Sequence, residues 1–193
     1  MLTRLIRLNL PLALLISAAI LAAIGAIHLG LGRPLLCKCG YVQLFWMGPK
    51  SAPGESEHFL DLYSTSHLLH GLLFYFLIWL ITRGRLSLGA GLVIAVLLEG
   101  TWELFENSPL LMKRYGEAGV EYQGDSLVNS LGDIVSMMAG YVLAGLVPVW
   151  LSIVVLVGTE GWMLWYLRDN LTLNIMNLIH PVDWINEWQK QKN

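Results

Sequence analysis

Three acidic residues, Glu99, Glu103 and Glu106, recur at intervals of four and three, the spacing that stacks side chains on one face of a helix. The same rule sets His67 beside His70, puts Tyr63 one turn before His67, and sends Asp125, Asn129 and Asp133 down one face at intervals of four. Imidazoles and carboxylates converging from several helices form a donor set for a divalent cation. Zinc is favoured where imidazole dominates, and manganese or iron where oxygen does. The expected ligands are His67, His70, Glu103 and Asp133, with Glu103, Glu99 and Asp133 as the acid/base candidates. Neither an HExxH nor an ExxH helix motif accompanies them. Two other roles therefore stay open for the histidines: structural hydrogen bonding, and proton transfer without a metal. Three carboxylates on one stripe do not all stay ionised at close range, so a protonated acid bonded to Asn129, Ser130 or Tyr63 is the structural alternative. Glu106, beside Asn107-Ser108-Pro109, also suits a solvated helix end.

The elements that must position these groups are apolar. Of 193 residues, 55% are hydrophobic and 13% charged, and the mean hydropathy is +0.58, whereas soluble domains carry about 25% charged residues. Five apolar runs, at 8–31, 67–82, 86–105, 127–146 and 149–167, approach the roughly 20 residues that span a bilayer. Backbone exposed to lipid must satisfy its own hydrogen bonds, so the runs are predicted to be helices. The expectation is an all-α membrane protein, one domain over 1–193, with polar loops at 32–60 and 106–125. A tail at 171–193, interrupted by Pro181, places Trp184, Ile185 and Trp188 as an amphipathic helix lying in the membrane interface. The first run, behind Arg4 and Arg7, exceeds a signal-peptide core and reads as a retained helix, although Ala-Ala-Ile-Gly-Ala at 22–26 would suit cleavage. Two cysteines exclude a disulfide-stapled module, and 12 basic against 14 acidic residues argue against nucleic acid as a partner. The lipid bilayer is the partner the composition implies.

Five crossings put the termini on opposite sides and bring the polar groups to one face. All 14 acidic residues fall on or near that face, together with Cys37, Cys39 and, after the fifth run, Asp169. The other face shows Arg4, Arg7, Arg83 and Arg85 close to the membrane. Their density predicts a cytoplasmic N-terminus and a periplasmic acidic face. Cys37-Lys38-Cys39 is spaced more tightly than the usual metal-binding CxxC. It would form a disulfide or a lipid-modified thiol in an oxidising periplasm and remain thiols in the cytoplasm. His28, His58 and His180 read as solvated loop or interface positions. Glu160, inside the fifth run, requires a partner, and Arg168 is too far along the axis to supply it.

The stretches Arg33-Pro34-Leu35-Leu36-Cys37-Lys38-Cys39-Gly40, Ser64-Thr65-Ser66-His67-Leu68-Leu69-His70-Gly71, Glu99-Gly100-Thr101-Trp102-Glu103-Leu104-Phe105-Glu106-Asn107-Ser108-Pro109, Gly124-Asp125-Ser126-Leu127-Val128-Asn129-Ser130 and Arg168-Asp169-Asn170-Leu171-Thr172-Leu173-Asn174 resemble an uncharacterised bacterial inner-membrane family of unknown function. The likeness runs over nearly the whole chain. More distantly, Asp125-Ser126-Leu127-Val128-Asn129-Ser130-Leu131-Gly132, with His58 or His67 as the preceding histidine, is similar to VanZ-like membrane proteins. That likeness implies a role in the cell envelope and no particular reaction. Three functions follow as expectations: an enzyme, metal-dependent or acid/base, acting on an amphiphile such as a lipid-linked envelope substrate; a non-catalytic accessory or assembly subunit of a larger membrane complex; and a proton or cation pathway.

Overall fold

The structure is a computed structural model that describes residues 7–48, 53–117 and 122–190. Arg4 and Glu121, which enter the charge argument, lie outside the described residues. Eight helices and one short strand are described: α1 (Leu10–Gly30), β1 (Pro53–Ser56), α2 (Ser64–Thr82), α3 (Leu88–Glu106), α4 (Pro109–Glu117), α5 (Leu127–Leu146), α6 (Val149–Leu167), α7 (Leu171–Ile179) and α8 (Asp183–Lys190). Among them α1, α2, α3, α5 and α6 are long and apolar enough to cross a membrane. The chain is an all-α, multi-pass membrane protein.

Short polar side chains set where the spans begin. Asn9 accepts from the Leu12 N–H, Ser87 from that of Ala90 and Ser126 from that of Asn129, which satisfies donors that a helix N-terminus leaves open. α2 starts at Ser64 rather than at 67, because the Asp61 carboxylate accepts from the Tyr63 and Ser64 backbone N–H groups at 2.8 and 3.1 Å. A hydropathy boundary misses this polar first turn. The predicted loop at 106–125 also contains α4. Its signal was Ser108-Pro109, a capping serine followed by proline at the first helical position, and the Leu111 N–H does reach Ser108 Oγ at 3.4 Å.

α2 packs most extensively on α5, α1 packs on α3, and α3 also meets α5. Ile24, Ile78, Leu92, Val96, Ile134 and Met137 form the buried centre. The α2–α5 crossing depends on two glycines that face the partner backbone. A Cβ at Gly71 would collide with the Met137 carbonyl oxygen, and one at Gly140 with that of Leu68. Small residues at such crossings let helix backbones approach closely. α6 is the outermost span, with Trp150, Ile153, Val154, Val157 and Trp165 exposed along its length.

The tail is two helices that fold back on the bundle. Arg114 of α4 donates to the Leu178 and Ile179 carbonyls at the end of α7. The Arg168 guanidinium donates to the Trp188 carbonyl and lies over the Trp188 ring, while Trp184 is exposed and Ile185 buried. Glu160 finds its partner locally, since its carboxylate accepts from the Leu171 and Thr172 N–H groups at 3.0 and 3.2 Å at the start of α7. Two histidines expected in solvent are instead buried. His28 is fully enclosed against α1's neighbours with no hydrogen bond to either ring nitrogen. His58 is enclosed between Tyr41 and Trp46.

Candidate functional site

The early start of α2 places Ser64, His67 and His70 on successive turns of one face, with the two imidazole centroids 5.0 Å apart. α3 runs antiparallel beside them and presents Glu99 and Glu103, both fully buried. The Nδ1 atoms of both histidines meet the same carboxylate: His67 lies 2.6 Å from Glu99 Oε1, and His70 lies 2.9 and 3.1 Å from Glu99 Oε1 and Oε2. Protonated at Nδ1, both rings donate to Glu99. Glu103 Oε1 stands 3.4 Å from the same His67 nitrogen, and neither of its oxygens has a hydrogen-bond partner. On the opposite edge of the ring, His67 Nε2 lies 3.9 Å from Asp133 Oδ2 of α5. The other Asp133 oxygen accepts from Ser64 Oγ at 2.5 Å. His67 is thus enclosed by three carboxylates from two helices.

A second set of acids lies at the helix ends on the same side of the bundle, each bonded by a phenol. Tyr122 Oη donates to Asp125 at 2.6 Å, Tyr115 Oη to Glu106 at 2.9 Å and Tyr63 Oη to Asp169 at 2.9 Å. Burial, and then the adjacent carboxylate, push all three phenols above the ordinary tyrosine value, so they remain donors at neutral pH. Asp125 is also held by Asn107, which donates from Nδ2 to its carboxylate and accepts its backbone N–H. Burial nevertheless raises the Asp125 carboxyl above its usual value, against the pull of the Tyr122 and Asn107 hydrogen bonds.

A raised carboxyl favours the folded state below the ordinary aspartate value near about pH 4, and that contribution is lost as pH rises through the raised value. Thermal unfolding in detergent should therefore show stability falling across that interval, and Asp125→Asn should flatten the dependence. An unchanged slope in the variant would assign the effect to other groups.

Both layers border a cavity of about 110 Å³, with His67, His70, Trp102, Asp133, Asp169 and Tyr63 on its walls. Among the described residues, no lysine or arginine lines it. Ligand atoms of His67, His70 and Glu99 lie within 4.8 Å of one another, as do those of His67, Glu103 and Glu106, a separation a single cation can span with small side-chain shifts. Two imidazoles and two carboxylates suit zinc, manganese or iron.

Asn129, Cys37 and Cys39, singled out in the sequence, sit apart from this centre. Asn129 donates to the His58 carbonyl at 2.9 Å and to Asp61 at 3.4 Å, and so ties α5 to the loop before α2. Asp125 precedes α5 instead of continuing its face, and Cys37 and Cys39 line a different recess. Ser64, Asn107, Tyr115 and Tyr122 were not anticipated. The spacing of Ser64 from His67 carried a signal for the first. The tyrosines come into position only through α4 and the turn before α5.

Fold and site together define a multi-pass helical membrane protein with a histidine–carboxylate centre buried near one end of its bundle. Residues 28–191 match the family described as "Protein of unknown function (DUF2585)", and the chain belongs to that family. Its relatives include UPF0314 protein Atu8092 of Agrobacterium fabrum, 47% identical over 82% of this chain and 80% of that one. A UPF0314 protein of Paracoccus denitrificans is 42% identical over 83% of each chain, and one of Sphingopyxis alaskensis is 41% identical over 91% of this chain and 93% of that one. These matches do not carry the VanZ likeness. No solved structure matches the chain.

Proposed function

We propose that the chain is a metal-dependent enzyme of the bacterial inner membrane in which His67, His70, Glu99 and Glu103 hold a divalent cation and Asp133 serves as the base. The observation that carries this reading is Glu103, a fully buried carboxylate whose two oxygens have no hydrogen-bond partner and which stands 3.4 Å from His67 Nδ1. An uncompensated carboxylate at membrane depth costs at least about 2.5–3.5 kcal/mol, and a cation shared with Glu99 would offset that cost. A cation there would polarise a carbonyl or phosphoryl oxygen and lower the pKa of a bound water. Asp133 lines the cavity and accepts from Ser64, which supports its reading as the acceptor of a proton from such a water.

The substrate is an amphiphile that enters at the membrane face. The wall of carboxylates and phenols, without lysine or arginine among the described residues, suits a neutral hydroxyl-bearing or cationic head group better than a phosphate, which narrows the envelope substrates to consider. Arg7, Arg83 and Arg85, near the end of the bundle opposite the acids, support a cytoplasmic N-terminus and a periplasmic cavity.

The test is elemental mass spectrometry of detergent-purified protein. Wild type should carry close to one equivalent of a transition metal, and His67→Ala/His70→Ala should carry none while remaining monodisperse. Absence of metal from both proteins would overturn this reading. One observation would then favour proton transfer without a metal: the two imidazoles already meet Glu99 at 2.6 to 3.1 Å. An accessory subunit would be the remaining case, and co-purification of a partner would reveal it.

A further inference from the structure

A second reactive cluster lies outside this centre, in the loop after α1. Cys37 and Cys39 are joined by a disulfide, and a ring nitrogen of His58 lies within 4.8 Å of both sulfurs. Cys37, Lys38, Cys39, Tyr41, Trp46 and His58 line a recess of their own. The bond closes a loop of only three residues, from 37 to 39, so it restricts the unfolded chain little and ties no two elements together. As a staple it does almost nothing, which directs attention to its chemistry.

The two sulfurs are not equivalent. Cys37 is buried and Cys39 exposed. The Cys39 backbone N–H donates to Cys37 Sγ at 3.1 Å, a contact that stabilises negative charge on that sulfur. His58 is held by stacking on Tyr41 at a centroid distance of 5.4 Å. Its Nδ1 accepts the Gln43 N–H at 3.2 Å, so the neutral ring carries its proton on Nε2. The arrangement offers an attacking thiolate one accessible sulfur and gives the departing one a backbone N–H donor.

We propose that Cys37–Cys39 is a redox-active disulfide that exchanges with an external dithiol. The incoming thiolate attacks Cys39 Sγ and forms a new S–S bond, while the Cys37–Cys39 bond breaks and its electron pair leaves on Cys37, which takes up a proton. The second thiol of the incoming molecule, after losing its own proton, attacks its partner sulfur in the mixed disulfide and releases Cys39. Cys37 and Cys39 end as two thiols, reduced by two electrons and two protons, and the external dithiol ends as a disulfide. This function is independent of the histidine–carboxylate centre.

The experiment uses the full chain in detergent, treated with graded dithiothreitol and then alkylated with a maleimide that adds mass per free thiol. The folded protein should show a reversible two-thiol shift at reductant levels no higher than an unfolded control needs. In single-cysteine variants, Cys37→Ser, which keeps the exposed Cys39, should form a mixed disulfide with oxidised glutathione at least about tenfold faster than Cys39→Ser. Three results would overturn the proposal. One is a disulfide that stays oxidised in the folded protein while the unfolded control is fully reduced. Another is single-cysteine variants that react at equal rates. The third is a reduced protein that binds one zinc through this cluster and then no longer exchanges, which would make it a metal site.

Discussion

Glu99→Ala is expected to destabilise the folded protein by about 3–5 kcal/mol, the range for removing one partner of a buried charged pair. Its carboxylate is the acceptor for both His67 Nδ1 and His70 Nδ1, so its loss strips both imidazoles of their hydrogen-bond acceptor and leaves His67 only the more distant Glu103 and Asp133, at 3.4 and 3.9 Å. Glu99→Gln keeps one oxygen acceptor and should cost distinctly less. Unfolding in mixed micelles, followed by tryptophan fluorescence, measures both. A Glu99→Ala protein as stable as wild type would remove Glu99 from the centre and with it the arrangement described here. The ordering of the two variants matters as much as the size, because a purely steric role would make glutamine and glutamate equivalent.

The second large effect is expected at the α2–α5 crossing. Gly71→Ala and Gly140→Ala each drive a methyl group into the opposing backbone, at Met137 and Leu68 respectively, and a carbonyl cannot rotate away as a side chain can. Overpacking typically costs about 1–3 kcal/mol, and these two positions belong at or above the top of that range. The helices must separate to admit either methyl, and separation would also carry His67 away from Asp133. A combined Gly71→Ala/Gly140→Ala protein should therefore be poorly folded and should have lost any metal bound by the wild type. Gly158→Ala is the control, since a Cβ there meets nothing within 4 Å. It should be neutral, or stabilising by up to about 1 kcal/mol through helix propensity. Equal behaviour of Gly71→Ala and Gly158→Ala would mean that the close crossing does not exist.

The spans were legible because hydropathy over some twenty residues reports a property of the whole segment. The residues from 127 to 146 and from 149 to 167 stand out whatever they pack against. Elements short of a span were less legible. α4 has too few apolar residues to register, and its capping serine and proline were the evidence available. Burial of single polar residues was harder still. His28 and His58 carry nothing in their neighbours to say that both are enclosed, because enclosure comes from segments distant in sequence: for His58, from Tyr41 and Trp46 across the loop.

By itself the sequence determined that this is a helical protein of the membrane, and that an alternating path through it gathers the acids and the two helical histidines at one end. Those are consequences of segment length and of counting crossings. Tertiary structure decided which groups meet. A spacing of four and three puts Glu99, Glu103 and Glu106 on one stripe, but only the rotation of α3 against α2 makes Glu99 the shared partner of both histidines, leaves Glu103 without a hydrogen bond and hands Glu106 to Tyr115. The glycine crossing of α2 and α5 likewise brings Asp133 to His67 and Ser64, while Asn129, one turn earlier on α5, turns to the loop at His58. Periodicity fixes positions around one helix axis. The rotation and depth of each helix against its neighbours depend on backbone contacts such as those at Gly71 and Gly140, and these exist only once the chain has folded.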